Sequence, residues 1–301
     1  MSVDPPGEPF DREFERYLAA KRSVDDRALD EHVFGRLREA VADRERLRVL
    51  EAGAGIGTML QRLVERETLP PETTYELVDV DSEALATARE RLPAWARERG
   101  GEARVDGDAL ELALPDRRVR VAFTEGDALA VAPERSCDLL VGSALLDLLA
   151  YDRLPTLLSA LRDGGWWYFP VTFDGVTAFR PPHPHDDAVV ERFHDHMDAG
   201  EGAGSTAGRQ LFDALPEGTT VEAAGGSDWV VRPPYPDDEA YFLRYVLDLV
   251  RTAVAERLDD PGPALSRAEL GEWVRDRRAA VRAGRLVYLA HNLDLLGRWR
   301  Q

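Results

Sequence analysis

Apolar positions along this chain follow two alternating rhythms. Between residues 11 and 42, Phe14, Tyr17, Leu18, Val24, Leu29, Val33, Phe34, Leu37 and Val41 recur mostly three or four apart. That spacing predicts one or two amphipathic helices. Residues 46–51 then form a short, mainly apolar run that reads as a buried strand, and residues 58–67 resume as a helix. A second strand is predicted over 74–79. It is followed by a helix from about 81 to 99, with Asp81 or Ser82 in the N-cap position. Residues 102–124 alternate in polarity, as expected of a hairpin followed by a third core strand ending at Phe123. A strand over 137–142, a helix over 154–161 and a strand over 166–172 complete the first half. Strands alternating with helices in this way predict βαβ units on a parallel sheet.

Past residue 172 the rhythm changes. Residues 173–206 hold four of the six histidines and several prolines, and a Gly/Ala/Ser stretch occupies 200–208. This segment is expected to be an insertion or lid over the C-terminal edge of the sheet. Residues 219–231 read as a further strand, 237–258 and 266–282 as helices, and 286–290 as the final strand. The proline-rich residues 1–10 are expected to be disordered. The organisation that results is a tail and helical lid over 1–42 and one domain over 43–301. That domain carries insertions at about 173–206 and 237–283.

Composition narrows the class. At 301 residues with 44% apolar content, the chain can build a sizeable core. No run approaches the roughly 20 apolar residues that span a bilayer. The N-terminus has neither a basic lead nor an apolar stretch. The expectation is a soluble, cytoplasmic protein with no membrane partner. A lone cysteine, Cys137, excludes an internal disulfide and a cysteine-based metal cluster. The net charge is −18, and Lys21 is the one lysine among 38 basic residues. An acidic, lysine-poor surface suits a salt-rich cytoplasm, where high charge is screened and aids solubility. A halophilic host is therefore expected, with a GC-rich genome as the alternative source of the arginine bias. No basic stripe marks a nucleic-acid surface.

The candidate chemistry begins at Glu51-Ala-Gly-Ala-Gly-Ile-Gly57, where a strand runs into closely spaced glycines and then a helix. Such a turn brings backbone N–H groups close to a ligand. The glycines fall at Gly53, Gly55 and Gly57, and Thr58 stands where the dinucleotide fingerprint requires its third glycine. Glu51 would also lie near a pyrophosphate, an unfavourable pairing. Beside a cationic sulfonium amino acid the same carboxylate is acceptable or helpful. Asp79 ends the next strand, 22 positions after Gly57, where it can accept hydrogen bonds from a ribose diol. Asp127, in Gly126-Asp127-Ala128, places a carboxylate at the sheet edge that suits an adenine amino group.

Taken in order, these residues resemble the class I S-adenosylmethionine-dependent methyltransferase family. Glu51-x-Gly53-x-Gly55-x-Gly57 is similar to its first motif, Asp79 to its ribose-binding acid and Asp127 to its adenine-side acid. The segment from Cys137 to Ser143 and the Asp163-Gly-Gly165 turn are similar to later parts of that family. The resemblance covers residues 46–172. It implies a Rossmann-like α/β fold with a seven-stranded, mostly parallel sheet whose last strand runs antiparallel, here supplied by 286–290. It implies S-adenosylmethionine as cofactor, held by Glu51, Gly53, Ala54, Gly55, Gly57, Asp79, Val80, Asp127, Ala128 and Ser143.

Lys21 is a further candidate, since a compact ammonium on an N-terminal lid helix would suit the methionine carboxylate of the cofactor. A chance lysine on a solvated helix is the alternative. Substrate candidates flank the fifth and sixth strands: Phe173, Asp174, Arg180, Asp228 and Trp229, with Asp147 after the fourth. Each has a plainer reading as a turn former, cap or surface group. His183, His185, His194 and His196 form two H-x-H pairs near Asp186, Asp187 and Asp195. These are zinc or iron ligand types, yet a helix over 191–197 would put His194 and His196 on different faces. His183, His185, His194 and Asp174 are candidates for a base in such a lid, with plain polar surface as the alternative for the histidines, and no metal is assigned. The activity expected is methyl transfer to a small molecule. Methylation of RNA or protein, or a cofactor-binding sensor without turnover, are the alternatives. A nicotinamide enzyme is disfavoured by Thr58 and Glu51.

Overall fold

The structure is a computed structural model and describes residues 13–300. The expected tail at residues 1–10 lies outside the described residues. Two helices open the fold, α1 (Glu13–Ala28) and α2 (Glu31–Val41). The second starts at an Asp30 N-cap whose side chain accepts from the Val33 N–H. The first half continues with β1 (Arg46–Ala52), α3 (Thr58–Glu65), β2 (Glu72–Asp79) and α4 (Ser82–Glu98), the last capped by Asp81. A hairpin, β3 (Glu102–Asp106) and β4 (Ala109–Ala113), leads into β5 (Arg118–Glu125). The short α5 (Ala128–Val131), β6 (Cys137–Val141) and α6 (Leu154–Leu158) complete that half.

The second half departs from the expectation in three places. First, β7 runs from Leu161 to Arg180, so residues 173–180 are strand rather than insertion. Second, the final strand, β10, spans Val287–Trp299 rather than 286–290. The two long strands pair antiparallel from Val287↔Arg180 to Arg298↔Trp166, and each satisfies the backbone of the other over its whole length. Third, the segment 219–231 divides at Ser227 and Asp228 into β8 (Thr219–Gly226) and β9 (Trp229–Val231). Between β7 and β8 lie α7 (Asp186–Asp198) and α8 (Ala207–Ala214). Between β9 and β10 lie α9 (Glu239–Glu256) and α10 (Arg267–Arg282).

The sheet has ten strands in the order β3-β4-β5-β2-β1-β6-β7-β10-β8, with β9 also on β10. The five strands from β5 to β7 are parallel, and β10 is antiparallel to β7, β8 and β9. Setting aside the β3–β4 hairpin and β9 leaves the seven expected strands with an antiparallel last one. The chain reverses direction across the sheet between β1 and β6, which opens a crevice at their C-terminal ends. Val33, Phe34, Leu37 and Val41 of α2 are buried in the main core with β1 and α3. The N-terminal helices are therefore built into the body. Among the described residues no helix is long and apolar enough to cross a membrane.

Candidate active site

The glycine loop sits in the crevice where sequence patterning places it. Gly55 N–H donates to Asp79 Oδ2 at 2.7 Å, and Asp81 N–H donates to Asp79 Oδ1 at 2.9 Å. Asp79 thus clamps the loop to the end of β2, and each of its oxygens retains a lone pair. Gly53 and Gly55 adopt φ of +67° and +51°; a β-carbon there would stand 3.3 Å from Leu145 and 3.2 Å from Leu18. Any side chain at either position would be both strained and crowded. Val80, the residue after Asp79, is 73% exposed, a bare apolar surface beside the carboxylate. Asp127 caps α5 through Oδ1, which accepts from Leu129 N–H at 2.8 Å, and Ala128 opens that helix.

A half-open cavity of about 70 Å³ lies against the loop. Glu51, Gly53, Ala54, Gly55 and Ser143 line it from the sheet side, and Leu18, Lys21 and Asp25 close it from α1. Lys21 is buried here, but its ammonium is engaged by Asp25 at 2.6 Å. Arg62, from α3, shares Asp25 at 3.2 Å and also bonds Asp26. Burial alone would lower the Arg62 pKa, yet Asp25 and Asp26 raise it above its usual value. The cavity therefore presents both signs of charge.

Glu51 lies beneath the loop, buried, accepting from the Tyr75 hydroxyl at 2.7 Å. Burial pushes its carboxyl up to about 8, against the opposing effects of Tyr75 and Arg62. An acid that holds its proton more tightly when folded stabilises the fold at low pH and loses that contribution as pH rises through the folded value. The ligand-free protein is thus expected to lose stability from about pH 4.5 to about pH 8, and Glu51→Gln to flatten that slope. Urea midpoints across the range measure it; an unchanged slope in the variant would assign the effect to another group.

A second cavity, of about 170 Å³, adjoins α1, β7 and α9. Its walls are aromatic: Tyr17, Phe173, Phe193, Trp229 and Tyr288. Asp147 and Asn292 are its hydrophilic side groups apart from those ring edges. Trp229 ties this cavity to the first, because its Nε1–H donates to Asp25 at 3.0 Å and its ring lies 5.0 Å from the Lys21 ammonium. Burial raises the Asp147 pKa, partly offset by its own backbone N–H and by Lys21. Among the described residues no other group hydrogen-bonds that carboxylate.

Two residues lining this cavity adopt left-handed backbone, Ala144 at φ +50° and Val171 at φ +56°. For a β-branched residue such as Val171 that conformation is strained. It is held by the buried Asp294, which accepts from Val171 N–H and from Asp30 N–H, each at 2.9 Å.

The other sequence candidates fall elsewhere. His183 pairs with Asp276 of α10 at 3.5 Å, with the His185 ring 5.4 Å away, and neither lines either cavity. His194 bonds Thr177 Oγ1 at 3.0 Å and meets the Phe173 ring edge-on at 5.5 Å. With Arg180 it lines a separate open groove between β7 and α7. Burial lowers its pKa. His196 lies 3.6 Å from Glu256. Asp174 accepts from both the backbone N–H and Nε of Arg209 at 2.9 Å, anchoring α8. Asp228 bonds His291 Nδ1 at 2.6 Å, and the other nitrogen of that ring is 3.9 Å from Asp174. Asp174 and Asp228 thus converge on His291. Phe173 and Trp229 do line the aromatic cavity, as does Asp147.

Arg62, Asp25, Tyr17, Phe193, Tyr288 and Asn292 were not among the sequence candidates. Tyr17, Lys21 and Asp25 recur every four residues, which puts them on one face of α1, so their grouping was within reach of the sequence. The remaining contributors come from elements whose docking no local pattern encodes.

Strand order and crevice together define a Rossmann-like α/β fold with an antiparallel strand beside β7. No protein-family model matches the chain, and no curated protein matches it. Among solved structures it is similar to an S-adenosylmethionine-dependent methyltransferase from Thiobacillus denitrificans in complex with S-adenosyl-L-homocysteine. That pair shares 18% identity over 98% of this chain and 99% of the other, with a TM-score of 0.48. The YcgJ protein of Bacillus subtilis shares 15% identity over 90% and 100% of the two chains, at 0.49. The plantazolicin methyltransferase BamL, in complex with a triazolic desmethylPZN analog and SAH, shares 15% over 96% and 89%, at 0.45.

Proposed function

We propose that the chain is an S-adenosylmethionine-dependent methyltransferase acting on a small-molecule acceptor. The observation that carries this reading is the glycine-loop cavity, clamped by Asp79 and lined by charges of both signs. Those residues fit the cofactor. Lys21 and Arg62 suit the carboxylate of its amino-acid end, and Asp25 and Glu51 suit the ammonium and the positive sulfur. A volume of about 70 Å³ has room for that end alone, so the nucleoside would lie along the open edge. There Asp79 has lone pairs for the ribose, Val80 an apolar face for adenine, and Asp127 a second oxygen for the adenine amino group.

When bound, the cofactor supplies a methyl group already activated by sulfonium charge. The protein's share is to align an acceptor with that group and to take up a proton. The aromatic cavity supports an acceptor of small size: its volume is about 170 Å³, and its wall residue Trp229 donates to Asp25 of the cofactor cavity. The acidic, lysine-poor surface supports a salt-rich cytoplasm as the setting.

Calorimetric titration in molar potassium chloride with S-adenosylmethionine, S-adenosylhomocysteine and NAD tests the reading. Micromolar binding of the first two and none of NAD is expected. Binding of NAD alone would overturn the proposal.

A further inference from the structure

We propose that the aromatic cavity takes a small apolar amine, held as its ammonium form between aromatic faces and the Asp147 carboxylate, and that its nitrogen is the methyl acceptor. The inference rests on the methyltransferase reading and adds the chemical class of the substrate.

The walls are lined by the aromatic side chains of Tyr17, Phe173, Phe193, Trp229 and Tyr288, and Asp147 is the one carboxylate among the lining residues. Aromatic faces attract a cation most strongly where water is excluded. A carboxylate in apolar surroundings is costly unless a cation or several donors meet it. Among the described residues no cation bonds Asp147: the Lys21 ammonium, whose charge reaches it, is bonded to Asp25 at 2.6 Å. A bound ammonium would fill that role. An anionic acceptor would meet the same carboxylate as a like charge, and a phenol would have to become an anion beside it before attacking. Size sets a second limit. An apolar cavity of about 150 Å³ holds a benzene molecule, so 170 Å³ admits one ring with a short amine-bearing chain.

The charges balance in the step this arrangement allows. The ammonium gives one proton to the Asp147 carboxylate, which frees a nitrogen lone pair. That pair forms the new N–C bond to the donor methyl carbon. The C–S bond breaks with its electrons left on sulfur, so the positive charge passes from sulfur to the methylated nitrogen. Asp147 then returns its proton to water. Ammonium and sulfonium become N-methylammonium, thioether and one free proton.

Three probes, each one ring with a short side chain, separate the acceptor classes: 2-phenylethylamine, 4-ethylphenol and phenylacetate. Each is titrated into the protein with and without saturating S-adenosylhomocysteine. The amine is expected to bind at least tenfold more tightly than the other two. Asp147→Asn is expected to remove tenfold or more of the amine affinity while changing that of 4-ethylphenol less than twofold. Phe173→Leu, which keeps an apolar side chain but removes a π face, is expected to weaken the amine several-fold more than the phenol. Equal or tighter binding of the phenol or the acid overturns the proposal. So does binding of none of the three, or an amine affinity that Asp147→Asn leaves unchanged. Failure of S-adenosylhomocysteine to bind the wild-type chain would instead count against the methyltransferase reading, and the titrations without it still decide the amine preference.

Discussion

Asp79→Ala is expected to weaken S-adenosylmethionine binding at least a hundredfold while the protein stays folded. The side chain has two tasks, since it accepts from Gly55 and Asp81 N–H groups and retains lone pairs toward the crevice. Hydrogen bonds to a charged acceptor contribute about 1.5–3 kcal/mol each. Two lost ribose contacts therefore cost about 3–6 kcal/mol, and about 1.4 kcal/mol is a factor of ten. Release of Gly55 adds to that by letting the loop leave the shape the ligand needs. Asp79→Asn keeps one acceptor oxygen and should fall between the two. Calorimetry alongside a thermal melt reads both effects. Unchanged affinity in the alanine variant would remove the ribose from this position.

The largest effect on stability is expected at Asp294. This carboxylate is fully buried and accepts from the backbone N–H groups of Asp30 and Val171, with the Tyr168 hydroxyl at 3.4 Å. It joins the start of α2 to the left-handed bend in β7. Asp294→Ala would leave these donors buried and unmatched, at about 1–3 kcal/mol each. A loss of about 3–5 kcal/mol follows, or roughly 6–15 °C in melting temperature for a domain of this size. Asp294→Asn, with one oxygen left, should recover part of it. Val171 would also be free to relax from φ +56°, so the aromatic cavity should lose affinity for the amine probe. A fall in melting temperature of less than about 2 °C, below what one lost buried partner costs, would show that the bend holds without this carboxylate.

The first half of the fold is legible in the sequence because each strand there is short, apolar and followed by its own helix. The glycine loop, Asp79 and Asp127 are placed by local spacing alone, and the structure sets them at one sheet edge. The second half is harder to read for a physical reason. The extended β7 and β10 place polar residues such as Asp174, Asn292 and Asp294 at buried positions in the strands. Those polar groups interrupt the apolar alternation that marks a strand, and their partners lie 35 to 264 positions away. The histidines at 183–196 attracted attention as a cluster, yet pairing with Asp276, Thr177 and Glu256 disperses them. The aromatic cavity draws its walls from α1, β7, α7, β9, α9 and β10, and that convergence is a property of tertiary packing.

A single indole links the two cavities, lining the aromatic one and donating to Asp25 of the other. Trp229 is fixed on one side by Asp25 and faces the acceptor space on the other. Any shift of that ring favoured by a ligand in one chamber is therefore felt in its neighbour. Thermodynamic reciprocity then makes the two affinities change by one common factor, whichever ligand arrives first. Two chambers joined through one hydrogen-bonded indole form in that sense a two-key lock, in which each key alters the fit of the other.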